Sequence, residues 1–200
     1  MSKKFFMPTA NYGISSQLLQ FGYVETKEEE EADFFMFTGG SDVSASLYGQ
    51  KDYVTSYPEP ARDLREVFYV TKAKLLGKWS IGICRGFQLL NVMAGISLIQ
   101  HLVGHTNSIH SVERAVNLPA PAIINSSHHQ AVPASAALDL RYDKYLVCKS
   151  FVHNREAEQE FLEGGVCSSH KFAGVQYHPE YANCPEAAVN LFKDMIKGVL

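Results

Sequence analysis

Gly82-Ile83-Cys84-Arg85-Gly86-Phe87-Gln88 joins a strand to a helix through a single cysteine. Before it, Gly77-Lys78-Trp79-Ser80-Ile81 reads as a short apolar strand; after it, Phe87-Gln88-Leu89-Leu90-Asn91-Val92-Met93-Ala94 reads as a helix. A cysteine therefore stands on a sharp strand-to-helix turn with a glycine two residues away on each side. This is a nucleophile elbow with sulfur in place of a serine hydroxyl. Small neighbours suit it because such a turn is strained and crowded. The helix that begins there points unsatisfied N–H groups and the positive end of its dipole at the sulfur, which favours thiolate. Cys84 read alone is equally a buried structural cysteine; its setting argues for a nucleophile.

A second motif strengthens that reading. In Gly174-Val175-Gln176-Tyr177-His178-Pro179-Glu180, a strand over 172–177 is ended by Pro179, with His178 at its terminus and Glu180 two residues on. A thiol nucleophile needs a base, and the base needs a group that holds its tautomer. Cys84, His178 and Glu180 supply the three types, far apart in sequence as such enzymes place them. Taken alone, His-Pro-Glu is also a plausible surface turn.

Together the two motifs resemble the class I glutamine amidotransferase superfamily, and within it the γ-glutamyl hydrolase branch that includes γ-glutamyl-γ-aminobutyrate hydrolases. Four more segments fit, in family order: Phe37-Thr38-Gly39-Gly40-Ser41-Asp42-Val43, Leu47-Tyr48-Gly49, Arg62-Asp63, and Asn125-Ser126-Ser127-His128-His129-Gln130-Ala131-Val132. Each is weak alone; the ordered set, running from residue 34 to 180, is specific. The resemblance implies an oxyanion hole from the backbone N–H groups of Gly40 and Arg85, the two donors that a tetrahedral intermediate requires. It also implies glutamyl-group contacts from Gln88, His129 and Gln130. The Arg85 side chain suits a substrate carboxylate, or else packs outside the pocket. Isoleucine at 96 stands where the branch has a second glycine, and Ala45 where a proline often precedes Leu-Tyr-Gly. The chain is also shorter than many relatives, so the loops that shape the substrate pocket differ while the reacting residues remain.

Composition fits a globular enzyme: 200 residues, 46% hydrophobic, suit one domain over 1–200 with a sizeable core. A net charge of −3 with scattered basic residues gives no nucleic-acid footprint. Cys84, Cys148, Cys167 and Cys184 show no paired spacing, which argues against a disulfide framework. Lys3 and Lys4 precede no long apolar run, so neither a signal peptide nor a membrane span is expected, and a reducing cytoplasm suits a free thiol. The run Glu28-Glu29-Glu30-Glu31 reads as a solvated face. Among the histidines, His101, His105 and His110 have no carboxylate at metal-binding spacing, and adjacent His128 and His129 would point opposite ways in a strand; no metal site is expected.

Strand and helix patterns alternate. Strands are expected over 4–7, 23–25, 32–37 and 77–81, and helices over 12–21, capped by Asn11, and 186–199. Leu64, Val67, Phe68, Thr71 and Leu75 give helical spacing over 60–76. Residues 96–137 read as loop-rich, and 145–151 and 165–177 as antiparallel strands. The fold expected is a three-layer α/β sandwich of flavodoxin-like type, with a mostly parallel central sheet and helices on both faces. Its site should lie at the carboxyl ends of the strands.

The expected activity is cysteine-dependent hydrolysis of a γ-glutamyl amide through a γ-glutamyl thioester, with a small-molecule substrate and no cofactor. The alternative is a glutaminase subunit that delivers ammonia to a synthetase partner. A non-catalytic binding protein that kept the fold is the third reading, against which the complete Cys, His and Glu set argues.

Overall fold

A computed structural model of the protein describes residues 2–121, 123–152 and 158–200. The first half alternates as expected: β1 (Lys4–Phe6), α1 (Tyr12–Gln20), β2 (Val24–Glu25), β3 (Phe34–Phe37), α2 (Pro60–Leu75), β4 (Trp79–Ile83) and α3 (Arg85–Met93). Asn11 caps α1 by accepting the Ile14 N–H at 3.1 Å. Pro60 opens α2, where its missing N–H costs nothing. The second half holds β5 (Ser108–Ser111), β6 (Arg114–Val116), β7 (Ile123–Ser126), β8 (Val132–Pro133), α4 (Ala136–Asp139), β9 (Lys144–Phe151), β10 (Glu158–Cys167), β11 (Phe172–Val175) and α5 (Glu186–Val199).

The main sheet runs β2-β1-β3-β4-β11-β10-β9-β6, with β8 added on β10; β5 and β7 form a separate pair. From β2 to β11 all neighbours are parallel. Beyond β11 the sheet continues with antiparallel strands. β3 is apolar at every position and wholly buried, as a parallel strand covered on both faces must be. Its side chains alternate between two cores. Phe34 and Met36 pack with Leu18 of α1 and Phe192 of α5, whereas Phe35 and Phe37 pack with Val70 of α2 and Leu89 of α3. These are the three layers of the α/β sandwich.

Three expectations change in detail. Residues 165–177 are not one strand: β10 ends at Cys167, the chain turns through Ser168–His170, and β11 returns antiparallel to it. The antiparallel partner of β9 is therefore β10, which starts at Glu158. Residues 96–137 hold β5 to β8, short strands that pair either with each other, as β5 and β7 do, or with the later β9 and β10, as β6 and β8 do.

The third change is the face of α2. The apolar stripe points outward, leaving Leu64, Phe68 and Leu75 72%, 59% and 83% exposed. The buried face carries Arg62, Asp63, Glu66, Val70 and Ala73. The charged residues face inward because Arg85, at the start of α3, is only 1% exposed and needs partners. Arg85 Nη2 donates to Asp63 Oδ1 at 2.5 Å, and Nη1 donates to Glu66 Oε2. Arg62 Nε donates to Glu66 Oε1 at 2.9 Å. Exposing a large apolar side chain forfeits roughly 1.5–3 kcal/mol. Stripping a buried ion of its partner costs about 3–5 kcal/mol, and the pairs with Arg85 lie on this face of the helix.

Urea unfolding tests this hierarchy. Glu66→Ala should lose about 3–5 kcal/mol, because it takes a charged partner from two buried guanidinium groups at once. Leu64→Ala should stay within about 0.5 kcal/mol of the parent, since its side chain already lies in water.

Candidate active site

Cys84 occupies the residue between β4 and α3, with φ 50° and ψ −109°. A non-glycine residue in that region is strained, and the neighbours hold it there. The Cys84 N–H donates to the Val175 carbonyl at 2.8 Å. A side chain at Gly86 would collide with the Phe37 carbonyl, so α3 can approach β3 this closely only with glycine. The sulfur is buried but lines a cleft of about 220 Å³ with Gly40, Asp42, Tyr57, Gln88 and His129 among its walls.

His178 follows β11 and meets Glu180 through Nδ1 and Oε1 at 2.8 Å. Asn125 holds its backbone at both ends: Oδ1 accepts the His178 N–H and Nδ2 donates to the His178 carbonyl, each at 3.0 Å. Tyr181 stacks on the imidazole at 4.3 Å with a 12° tilt. Burial opposes charge on the ring, but hydrogen bonds to Cys84 and Glu180 outweigh it and push its pKa up to about 10. The chain thus sets the elbow cysteine beside the hydrogen-bonded histidine–acid pair, an arrangement suited to a thiolate–imidazolium pair.

Gly39 and Gly40 follow β3. Arg62 Nη2 donates to the Gly39 carbonyl at 2.9 Å. The peptide is planar and trans, so the Gly40 N–H points away from Arg62. The Arg85 N–H is one of the free donors of the first turn of α3. The Arg85 side chain lies in the buried ion network and not in the cleft, which decides between its two expected placements.

The expected substrate contacts divide. His129 reaches the cleft; its Nε2 lies 3.0 Å from Asp42 Oδ2, and that hydrogen bond raises its pKa. Gln88 also lines the cleft, but its Nε2 donates to the Gln130 carbonyl at 2.8 Å and to Gln176 Oε1 at 3.2 Å. Gln130 has its side-chain amide on the backbone of Val43, accepting at 3.1 Å and donating at 3.3 Å. It braces the loop after Gly40 and is fully buried.

Sequence reading assigned no role to Gln176, whose Nε2 donates to Cys84 Sγ at 3.6 Å, nor to Asn125 and Tyr181. The one signal was a lone amide in the apolar run ahead of His178. Strand pairing also makes a juxtaposition that sequence spacing does not show. Glu163 on β10 brings a carboxylate to His105 and His110, with the donor atoms of the three within 4.8 Å of one another. Sequence spacing hid it because the carboxylate arrives by strand pairing.

Residues 26–180 match the family described as Peptidase C26, and the chain belongs to that family, within the cysteine-type class I glutamine amidotransferases. A glutamine amidotransferase-like protein of Lactococcus lactis subsp. lactis (strain IL1403) is 31% identical over 163 residues, 74% of this chain; the chain spans 66% of that relative's length. Among solved structures, a protein of Thermoplasma acidophilum assigned to GMP synthase superposes with a TM-score of 0.59 at 13% identity, covering 100% of this chain and 92% of that one. A glutamine amidotransferase of Thermotoga maritima gives 0.54 at 14% identity, covering 99% and 85%. At these identities the structures speak for the fold.

Iodoacetamide at neutral pH should modify Cys84 well before the other thiols. Burial pushes Cys148 and Cys167 up, and Cys184 up to about 12, so these stay protonated. His178→Asn removes the cation beside the sulfur, and Cys84 should then alkylate at least several-fold more slowly at neutral pH. Mass mapping of alkylated peptides over time reads both outcomes; equal labelling of all four cysteines would rule out an activated Cys84.

Proposed function

We propose that the protein hydrolyses γ-glutamyl amide bonds, with Cys84 as nucleophile, His178 as proton carrier and Glu180 as the group that orients it. The observation that carries this reading is the Cys84–His178–Glu180 row at a strained elbow opening on a small polar cleft. At about 220 Å³ the cleft is smaller than pockets for drug-sized ligands, roughly 300–1,000 Å³, and suits an amino-acid head with its leaving group outside. The Asp42–His129 pair presents one carboxylate and one imidazole of raised pKa, the charge complement of an α-amino acid.

In this reaction the Cys84 thiolate attacks the γ-carbonyl carbon. The oxyanion that forms is received by the backbone N–H groups of Gly40 and Arg85. The imidazolium of His178 gives its proton to the departing amine as the C–N bond breaks, leaving a γ-glutamyl thioester. His178, now neutral, takes a proton from water; the hydroxide adds to the thioester, the C–S bond breaks and glutamate is released. Gln176 supports the thiolate by donating to it. Gln88 and Gln130 position the walls of the cleft. No step calls for a cofactor.

The whole of 1–200 serves as one catalytic domain in this reading. Among the described residues no helix is long and apolar enough to cross a membrane. The need for a free thiol places the enzyme in a reducing cytoplasm. The likeness to a structure assigned to GMP synthase favours one competing reading, a glutaminase that passes ammonia to a synthetase.

A panel of γ-glutamyl amides with glutamate release measured separates the two. The purified chain should cleave at least one γ-glutamyl amine, such as γ-glutamyl-γ-aminobutyrate or a γ-glutamyl anilide, with higher kcat/KM than glutamine. Cys84→Ala should abolish turnover, and Glu180→Gln should lower kcat by less than Cys84→Ala or His178→Asn does. Silence on every substrate, relieved only by an added synthetase, would favour the ammonia-delivering role.

A further inference from the structure

Glu163 is fully buried, and among the described residues neither of its carboxylate oxygens has a hydrogen-bond partner. A buried carboxylate left so is costly unless a cation sits against it. The groups that face it are imidazoles, a thiol and a phenol. His110 Nε2 lies 3.2 Å from Glu163 Oε1, off the direction of a hydrogen bond, and His128 Nε2 lies 3.6 Å from the same oxygen. Cys148 is held protonated by burial and by the Glu163 charge. Tyr177 is likewise kept neutral and donates to the Ala188 carbonyl at 2.9 Å.

The imidazoles are turned for ligation. His110 Nδ1 lies 3.2 Å from the Ser111 carbonyl and His128 Nδ1 lies 2.9 Å from the Gln130 carbonyl. A carbonyl can only accept, so Nδ1 carries the proton in both rings and a neutral ring offers its Nε2 lone pair to the carboxylate side. This is the tautomer-fixing contact that surrounds metal-bound histidines. Both Nε2 atoms are buried without a hydrogen-bond partner, as is His105 Nδ1. The His105 ring packs 4.7 Å from that of His110 and 5.6 Å from that of His128.

We infer that His105, His110 and Glu163 form a binding site for a divalent transition-metal ion of the zinc class. Two imidazoles and one carboxylate suit that ion, and His128, whose Nε2 lies 3.6 Å from the same carboxylate, stands beside the three ligands. The donor atoms of His105, His110 and Glu163 lie within 4.8 Å of one another, and bonds of about 2.0–2.1 Å to one ion require a contraction to roughly 3.4 Å. Such an ion would tie the loop before β5, the strand β5 and the strand β10 together. His128, beside the ligands, also lines the cleft at Cys84, so the ion would brace that wall. It would be separate from the row at Cys84.

The test uses the full chain carrying Cys84→Ala, so that the cleft thiolate cannot bind metal. The protein is stripped with a chelator, dialysed, and titrated with Zn²⁺ and, separately, Co²⁺. About one ion per chain is expected, with raised Tm on zinc addition. The cobalt form should show tetrahedral ligand-field bands without the ultraviolet charge-transfer band of a sulfur ligand. Glu163→Gln and His110→Asn should each weaken zinc binding by about 100-fold or more. A folded, stripped chain that takes up no zinc would overturn the site, as would a sulfur charge-transfer band or undiminished affinity in both variants. Should the variants fail to fold, the cobalt spectrum of the chain with the cluster intact decides alone. None of these measurements depends on turnover.

Discussion

The buried ion network of Arg62, Asp63, Glu66 and Arg85 is the constraint on which the site rests. Two cations and two anions lie out of water between α2 and the start of α3. The network reaches outward through acceptors and donors that belong to other elements. Thr9, after β1, donates to Glu66 Oε1 at 2.6 Å. The Ser44 N–H donates to Asp63 Oδ2 at 3.3 Å. Arg62 continues to the Thr38 and Gly39 carbonyls at 3.1 and 2.9 Å. One cluster therefore fixes the loops after β1 and β3 and the helix that carries the elbow. A hydrophobic cluster of equal volume could supply comparable stability, but it could not specify the direction of the Gly39–Gly40 peptide.

The same network explains why the pocket end of the sheet tolerates strain. Cys84 stands in an unfavourable backbone region, and its neighbours cannot relax without breaking charge pairs behind them. A second layer of amides works on the other side of the sulfur. Gln88, Gln130 and Gln176 link β11, α3 and the segment after β7 through side-chain and backbone bonds. The sulfur is held between a charged cluster and an amide cluster, each tied to the backbone around it.

Local chemistry made parts of this legible in the sequence. The elbow could be read because strand, cysteine and helix are contiguous and the flanking glycines are required by contact. α1 was legible from its cap, and α5 from an apolar face that does pack inward. The face of α2 was not, because its apolar spacing is genuine and only the distant Arg85 decides which side turns in. The convergence of Glu163 with His105, His110 and His128 was hidden for the same reason: four positions in separate segments meet only through pairing. Gln176 lay inside a quoted motif, but its use depends on where Gln88 and the sulfur sit. Long-range contacts with polar groups carry no periodic signature.

The setting of His178 limits the order of events in the proposed reaction. Its Nδ1 is held by Glu180 and one ring face by Tyr181. A Cβ on Gly39 would lie 2.6 Å from Cε1 and 3.5 Å from each ring nitrogen, so the Gly39 backbone meets the ring at the edge between its nitrogens. A flip of the ring would tear Nδ1 from its carboxylate and turn Nε2 against that backbone. One nitrogen must then serve the thiol, the departing amine and the incoming water in succession, from one side. Water takes the place the amine has just left. Any amine supplied in excess competes for that same place, so the fate of the thioester, hydrolysis or transfer to a new acceptor, is a contest of occupancy and not of separate machinery.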